Sequence, residues 1–436
     1  MGARTPTLAE YLADETRAIA SACTACGKCV EVCPVMPHID VAGGTPESIT
    51  RSILGVLRDG SAPSPGAAAW AHACNGCGEC IPACPEGINP RRMLVLANTV
   101  RAREEAHTPE LFRKMSRAIR LMAGMQLVPR EFARLLKQPT ARDVPVIFYL
   151  GCNALRTPHL LFNAMYILDA IGVDYEVVGG PGVCCGIIHS KWEGQHQTGE
   201  RVMVGTLTRF EGFKPERVLT WCPSCQIHLG ESVAGFRPTS FDLDHVTDFF
   251  MDHAETLRDK FTRLVPKRVV LHSHIGLTEL GRNVASLLSA IPGLTLVETV
   301  WEPGYTCGGS GCNRAPGLQA IEHARLLDRV RETGADALVT FYHGCHASFV
   351  GAEKDGAFRV LNFTDLLVEA LGGTPHDDAL KRYRLQDDLK MVVEEGLPYL
   401  KANGIEVDPG FLERILPELF SLAEFRGGLH CFASPT

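Results

Sequence analysis

Five cysteines fall within 74 residues of this 436-residue chain: Cys152, the adjacent pair Cys184 and Cys185 followed by Gly186, and then Cys222 and Cys225. A single tetrahedral metal ion takes four protein ligands, and a four-iron cubane also takes four, so this set carries one thiolate more than either needs. The surplus is the main clue to function. Adjacent cysteines on an extended strand face opposite ways, so Cys184 and Cys185 can meet one inorganic body only where the backbone turns. Gly182 and Gly186 flank the pair and allow that turn.

Eight further cysteines form two runs of identical spacing, Cys23, Cys26, Cys29 and Cys33 before Pro34, and Cys74, Cys77, Cys80 and Cys84 before Pro85. A loop closing around a cuboid lets three thiolates at this spacing converge while its N–H groups point at the sulfurs, and the proline ends the loop. The run resembles that of two-cluster bacterial ferredoxins, in which the fourth cysteine of each run serves the other cluster. That resemblance implies two 4Fe-4S cubane clusters, one on Cys23, Cys26, Cys29 and Cys84, the other on Cys74, Cys77, Cys80 and Cys33. Structural zinc sites are the alternative, although zinc motifs rarely use three cysteines at this spacing.

The elements that position these residues follow from the apolar pattern. Between the two runs, Ile49, Ile53, Leu54 and Leu57 recur at helical spacing over 46–59, which predicts a helical ferredoxin domain over 1–99. Residues 100–143 hold ten Lys or Arg against five Asp or Glu, with Leu111, Phe112, Met115, Ala118, Ile119 and Met122 on one helical stripe. This reads as a basic helical connector packed on its own protein, with docking to an acidic partner or anionic lipid as the alternative. Beyond it, apolar runs at 146–150, 175–178 and 218–221 alternate with helical stretches at 160–171 and 198–210. That alternation predicts parallel α/β units, and the cysteines follow the strand ends, where open α/β sheets place ligands.

The second half repeats the first. KRVVLHSH ending at His274 parallels PVIFYLGC ending at Cys152, EPGYTCGG around Cys307 parallels GPGVCCGI around Cys185, and VTFYHGC ending at Cys345 parallels LTWCPSC ending at Cys225. The spacings are 33 residues in both copies for the first interval, then 40 and 38 for the second. A duplicated unit follows, over 144–265 with a complete cysteine set and over 266–374 with a degenerate one. Thr306 stands where Cys184 stood, Tyr342 where Cys222 stood, and His274 or Ile275 where Cys152 stood. The loops of the second copy carry His272, His274, His343, His346 and Cys312. Histidine titrates near neutrality and passes protons, so His274, Cys307, Cys345 and His346 are the candidate catalytic residues of a substrate pocket, with hydrogen-bonded loop histidines as the plainer alternative. Residues 375–436 form a helical tail, with stretches at 385–400 and 409–425 and an isolated His430–Cys431 pair.

The five-cysteine string resembles the cysteine-rich CCG domain, found in tandem in the catalytic subunit of heterodisulfide reductase. Behind a double-cluster ferredoxin region, the chain resembles the fused heterodisulfide reductase subunit, and also the iron-sulfur subunits of glycolate oxidase and anaerobic glycerol-3-phosphate dehydrogenase. The resemblance implies an α+β multidomain fold, a helical two-cluster ferredoxin domain followed by two tandem α/β CCG domains. It also implies one non-cubane 4Fe-4S cluster on Cys152, Cys184, Cys185, Cys222 and Cys225. Thr306 and Tyr342 depart from the pattern, so no second such cluster is expected.

The net charge of -7 and pI near 6.2 give no basic footprint for nucleic acid. Glu10, Asp14, Glu15 and Arg17 interrupt any apolar export segment, and no run approaches the roughly 18 apolar residues of a spanning helix. A cytoplasmic, reducing setting is expected, with any attachment to the inner face of a membrane coming through a partner or a surface helix. The expected function is an iron-sulfur oxidoreductase subunit of heterodisulfide reductase type, with electrons passing through two cubanes to a non-cubane site that reacts with a disulfide or thiol. The alternatives are an electron-transfer subunit of a flavin-dependent 2-hydroxy acid or glycerol-3-phosphate dehydrogenase that feeds quinone, and a non-enzymatic zinc module. The expected partner is a flavoprotein or a membrane quinone-linked subunit.

Overall fold

The computed structural model describes residues 7–101, 110–192, 195–273, 276–300 and 315–421. Its first part is helical. The Leu8–Ala22 helix opens on a capping box between Thr7 and Glu10, and the Pro46–Asp59 helix is capped by Thr45 and closed by Gly60. The second of these spans the stretch expected from its apolar spacing and buries Ile49, Ile53, Leu54, Val56 and Leu57. It packs against the Leu8–Ala22 and Pro90–Arg101 helices. The two cysteine loops leave this frame at helix ends, Cys23 after Ala22 and Cys74 after Ala73 of the Pro65–Ala73 helix.

Two four-stranded parallel sheets follow. The first comprises β1 (Val146–Gly151), β2 (Tyr175–Gly179), β3 (Arg217–Thr220) and β4 (Asp242–His245), in the order β2-β1-β3-β4. The second comprises β5 (Arg268–His272), β6 (Thr295–Val300), β7 (Ala337–Thr340) and β8 (Arg359–Asn362), in the order β6-β5-β7-β8. The repeat in sequence is thus a repeat in topology. Even the helix caps after the fourth strands match, His245 with Asp248 and Asn362 with Asp365, each a capping box.

All six residues of β1 are buried, and the first five alternate between two cores. Val146, Phe148 and Leu150 join the core shared with the second sheet, whereas Ile147 and Tyr149 join the core shared with Ile53, Leu57 and Trp70 of the helical region. The period-two geometry of a strand therefore sandwiches the first sheet between its neighbours. The two α/β units meet through two equivalent helix pairs, Pro158–Ile171 on Phe363–Ala370 and Val246–Asp252 on Thr278–Ser289.

The basic segment contains helices Glu110–Gln126 and Pro129–Leu136. Met115, Ile119 and Ala123 face the α/β core, while Ala118, Leu121, Met122 and Met125 face the tail. The tail forms three helices over its described residues, Ala379–Leu385, Leu389–Ala402 and Pro409–Ser421, where two stretches were expected. The extra break arises because the Asp388 side chain accepts from Lys390 N and starts a new helix. Tyr383 Oη donates to Met125 O at 2.7 Å, and Asn403 Nδ2 donates to Gly124 O at 3.0 Å and Leu127 O at 2.7 Å, clamping the tail on the basic segment. Among the described residues, no helix is long and apolar enough to cross a membrane.

Candidate metal centres

The two quartet loops fold alike. Ala25 and Gly76 stand at equivalent places and both take positive φ, 59° and 80°. The thiols gather into two sets. Cys23 is within electrostatic range of Cys84 and Cys26, and Cys29 of Cys23 and Cys26. Cys33 feels Cys74, Cys77 feels Cys74 and Cys33, and Cys80 feels all three. Cys84 thus lies near the thiols of the first run and Cys33 near those of the second, while Cys80 also feels Cys29. Burial, with added repulsion from neighbouring thiolates, pushes Cys29 up to about 11 and Cys77 up to about 12, and raises Cys80 further. Thiols so placed ionise only against a cation at their centre, which is the condition an iron-sulfur cluster meets.

The five other thiols converge at the carboxyl ends of the first sheet. Cys152 follows β1, the Cys184–Cys185 pair follows β2, and Cys222 and Cys225 flank the start of the helix after β3. Cys184 is in hydrogen-bonding contact with Cys152 and Cys185, Cys185 also with Cys225, and Cys225 with Cys222. These bonds to neighbouring thiols push Cys184 well below the ordinary thiol range and hold Cys152, Cys185 and Cys225 well above it. Cys184 lies in the core facing the second unit, and Cys185 in the core facing the helical region. Gly186, at φ 91°, makes the turn after the pair and donates its N–H to Cys184 Sγ at 3.4 Å. Gly151, at φ 69°, keeps the thiols close: a Cβ there would sit 3.1 Å from Cys225 Sγ and 3.2 Å from Cys222 Cβ.

The second unit approaches this site through Tyr342. Its fully buried phenol is held well above its ordinary range by burial, and it feels both Cys222 and Cys345. Cys345 is buried on the His343–Phe349 helix. His346, on the same helix, is engaged on both ring nitrogens, Nδ1 with Thr340 Oγ1 at 3.1 Å and Nε2 with Asp378 Oδ2 at 2.7 Å. His274, Cys307, Cys312 and the Thr306 position lie outside the described residues.

Arg91 joins the three regions, and no spacing in the sequence marked it. Its Nη1 donates to Gly76 O at 2.7 Å inside the second quartet loop and to Gly276 O at 3.2 Å in the second α/β unit. Its Nε donates to Glu231 Oε1 at 3.0 Å in the first unit.

Comparison with known proteins bears on the same segments. Residues 14–89 match the model of a 4Fe-4S dicluster domain, and residues 146–230 match that of a cysteine-rich domain. The chain thus carries a 4Fe-4S dicluster domain followed by a cysteine-rich domain. It is 24% identical to one of the subunits of the dihydromethanophenazine:CoB--CoM heterodisulfide reductase of Methanosarcina acetivorans, over 80% of this chain and 93% of that one. It is 23% identical to one of the subunits of the fumarate reductase (CoM/CoB) of Methanothermobacter marburgensis, over 79% of this chain and 71% of that one. The "Probable glycolate oxidase iron-sulfur subunit" of Bacillus subtilis is 22% identical, over 80% of this chain and 94% of that one. The dicluster match contains both quartets, and the cysteine-rich match contains all five thiols of the first α/β unit.

Proposed function

We propose that the chain is the iron-sulfur subunit of a heterodisulfide-reductase-type complex that reduces a small disulfide with electrons from a redox-protein partner. The observation that carries this reading is the convergence of five thiols beside Tyr342, in a chain that is similar to a heterodisulfide reductase component along most of its length. Cys23, Cys26, Cys29 and Cys84 would hold one cubane, Cys74, Cys77, Cys80 and Cys33 the other, and Cys152, Cys184, Cys185, Cys222 and Cys225 a non-cubane 4Fe-4S centre. When bound, these groups supply one-electron carriers and, at the five-cysteine site, iron open to a sulfur ligand.

The protein's own residues supply position and dryness. Arg91 holds the second quartet loop against both α/β units, and the two cores around β1 exclude water from the thiols. In the net reaction the S–S bond breaks, each sulfur gains one electron and one proton, and the partner supplies both electrons. His274, Cys307 and Cys345 remain the proposed catalytic residues, whereas His346 is turned to Asp378.

A second reading is an electron-transfer subunit for a flavin-dependent 2-hydroxy acid or glycerol-3-phosphate dehydrogenase, with quinone as acceptor. Its similarity to the probable glycolate oxidase iron-sulfur subunit over 80% of the chain favours it.

Anaerobic EPR with and without small disulfides tests both. A disulfide-induced signal that disappears in Cys185→Ser supports disulfide chemistry. The absence of such a signal with every disulfide, while electrons still pass from a flavoprotein to quinone, selects the relay. Iron well below about eight atoms per chain would remove both readings.

A further inference from the structure

Three donor side chains from three parts of the chain meet in the interior, apart from the thirteen cysteines assigned above. His159 stands in the first turn of the Pro158–Ile171 helix, His346 in the His343–Phe349 helix, and Asp378 caps the Ala379–Leu385 helix. Their donor atoms all lie within 4.8 Å of one another. Asp378 Oδ2 is 2.7 Å from His346 Nε2 and 3.4 Å from His159 Nε2, and the imidazole centroids are 5.0 Å apart. Both histidines are fully buried.

Beyond this convergence, one observation points to a ligand between them: neither ring nitrogen of the fully buried His159 has a hydrogen-bond partner, a costly state for a buried polar group. Thr340 Oγ1 meets the outer nitrogen of His346, Nδ1, at 3.1 Å and leaves Nε2 directed at Asp378. An outer hydrogen bond of this kind is what fixes the tautomer and orientation of metal-bound imidazoles.

The internal repeat supplies a control. In the first unit, Thr220 and Gln226 hold the places of Thr340 and His346, and Thr220 Oγ1 donates to Gln226 Oε1 at 2.5 Å. The same contact uses an amide in one copy and an imidazole in the other, and among the described residues the imidazole copy is the one with a second histidine and a carboxylate grouped beside it.

We propose that His159, His346 and Asp378 bind one divalent first-row transition-metal ion, of the Zn2+ or Fe2+ class, that ties both α/β units to the tail. Two imidazoles and a carboxylate suit such ions, and donors about 2 Å from a tetrahedral ion lie about 3.3 Å apart. The 3.4 Å separation fits this directly, and the 2.7 Å one has to open by about 0.6 Å. Asp378 Oδ1 accepts from Lys381 N at 2.9 Å, so capping and ligation use different oxygens. Lys381 Nζ is directed instead to Val360 O at 2.7 Å and Glu353 at 3.1 Å.

Co2+ is the probe, added to the anaerobically prepared, cluster-loaded full chain after a chelator has removed other divalent ions. The wild type should take up one Co2+ with a ligand-field spectrum free of thiolate charge transfer, and the ion should raise the unfolding midpoint. His159→Gln and Asp378→Asn should each weaken that binding at least tenfold with cluster iron unchanged. Asn at 378 keeps the helix cap, so that variant decides the matter if His159→Gln does not fold. Unchanged cobalt binding in the folded variants, a thiolate charge-transfer band, or a wild type that takes up no cobalt overturns the proposal.

Discussion

Asn163 Nδ2 donates to Asp365 Oδ1 at 2.7 Å across the boundary between the two α/β units, and Asn283 Nδ2 makes the same 2.7 Å bond to Asp248 Oδ1 on the equivalent helix pair. The two bonds differ in surroundings. Burial pushes the Asp365 carboxyl up to about 6, whereas Asp248 is half-buried and raised less. Asn163→Ala should therefore cost more than Asn283→Ala in urea unfolding, about 1–3 kcal/mol for the former.

The same carboxyl sets a pH dependence. A folded-state value raised from 3.8 to about 6 means that the stabilising contribution is fully present below 3.8 and is lost as pH rises through 6. Between pH 5 and pH 8 the wild type should lose about 1.4 kcal/mol from this group, and Asp365→Asn should not. Urea midpoints at the two pH values check this, and parallel curves for the two proteins would refute it.

His245 gives the opposite sign. Burial lowers its imidazole to about 3, although its bond to Trp221 O opposes the shift. Because the folded value is depressed, stability is present above 6.5 and is lost as pH falls towards 3, by about 2 kcal/mol at pH 5. Asn362 performs the same work in the second unit: its Oδ1 accepts from Thr364 N at 3.1 Å and its Nδ2 donates to Phe341 O at 2.9 Å. His245→Asn should consequently be tolerated at pH 8 and more stable than the wild type at pH 5, as thermal unfolding would show.

Arg91 is nearly buried and pairs with the partly buried Glu231. Arg91→Met should cost about 3 kcal/mol by stranding that carboxylate. It should also slow reduction of the five-cysteine centre through the dicluster domain, with iron content unchanged, when followed by rapid-mixing spectroscopy.

Gly151→Ala places a methyl 3.1 Å from Cys225 Sγ on a backbone that already has positive φ. The expected result is loss of about four iron atoms per chain with the dicluster signals kept. Cys77→Ser should do the converse, disturbing a cubane and leaving the five-cysteine centre assembled. Joint loss of all iron in either variant would contradict separate sites.

What the sequence by itself determined is what short-range geometry controls. Thiols two or three residues apart must converge when a loop closes, so the two quartets and the five-thiol surplus were legible from spacing. Strand and helix periods likewise exposed the repeated α/β units and the Pro46–Asp59 helix.

Only the tertiary structure decided the relations between segments. It set Cys184 and Cys185 into opposite cores, brought Arg91 to Glu231 and Gly276, and turned His346 towards Asp378. The physical reason is that such partners come from elements packed by the burial of apolar faces, and no local period links residues on separate elements. His159 reads in sequence as one residue of an apolar helix. Its meeting with His346 and Asp378 exists only because both α/β units and the tail close on the same point.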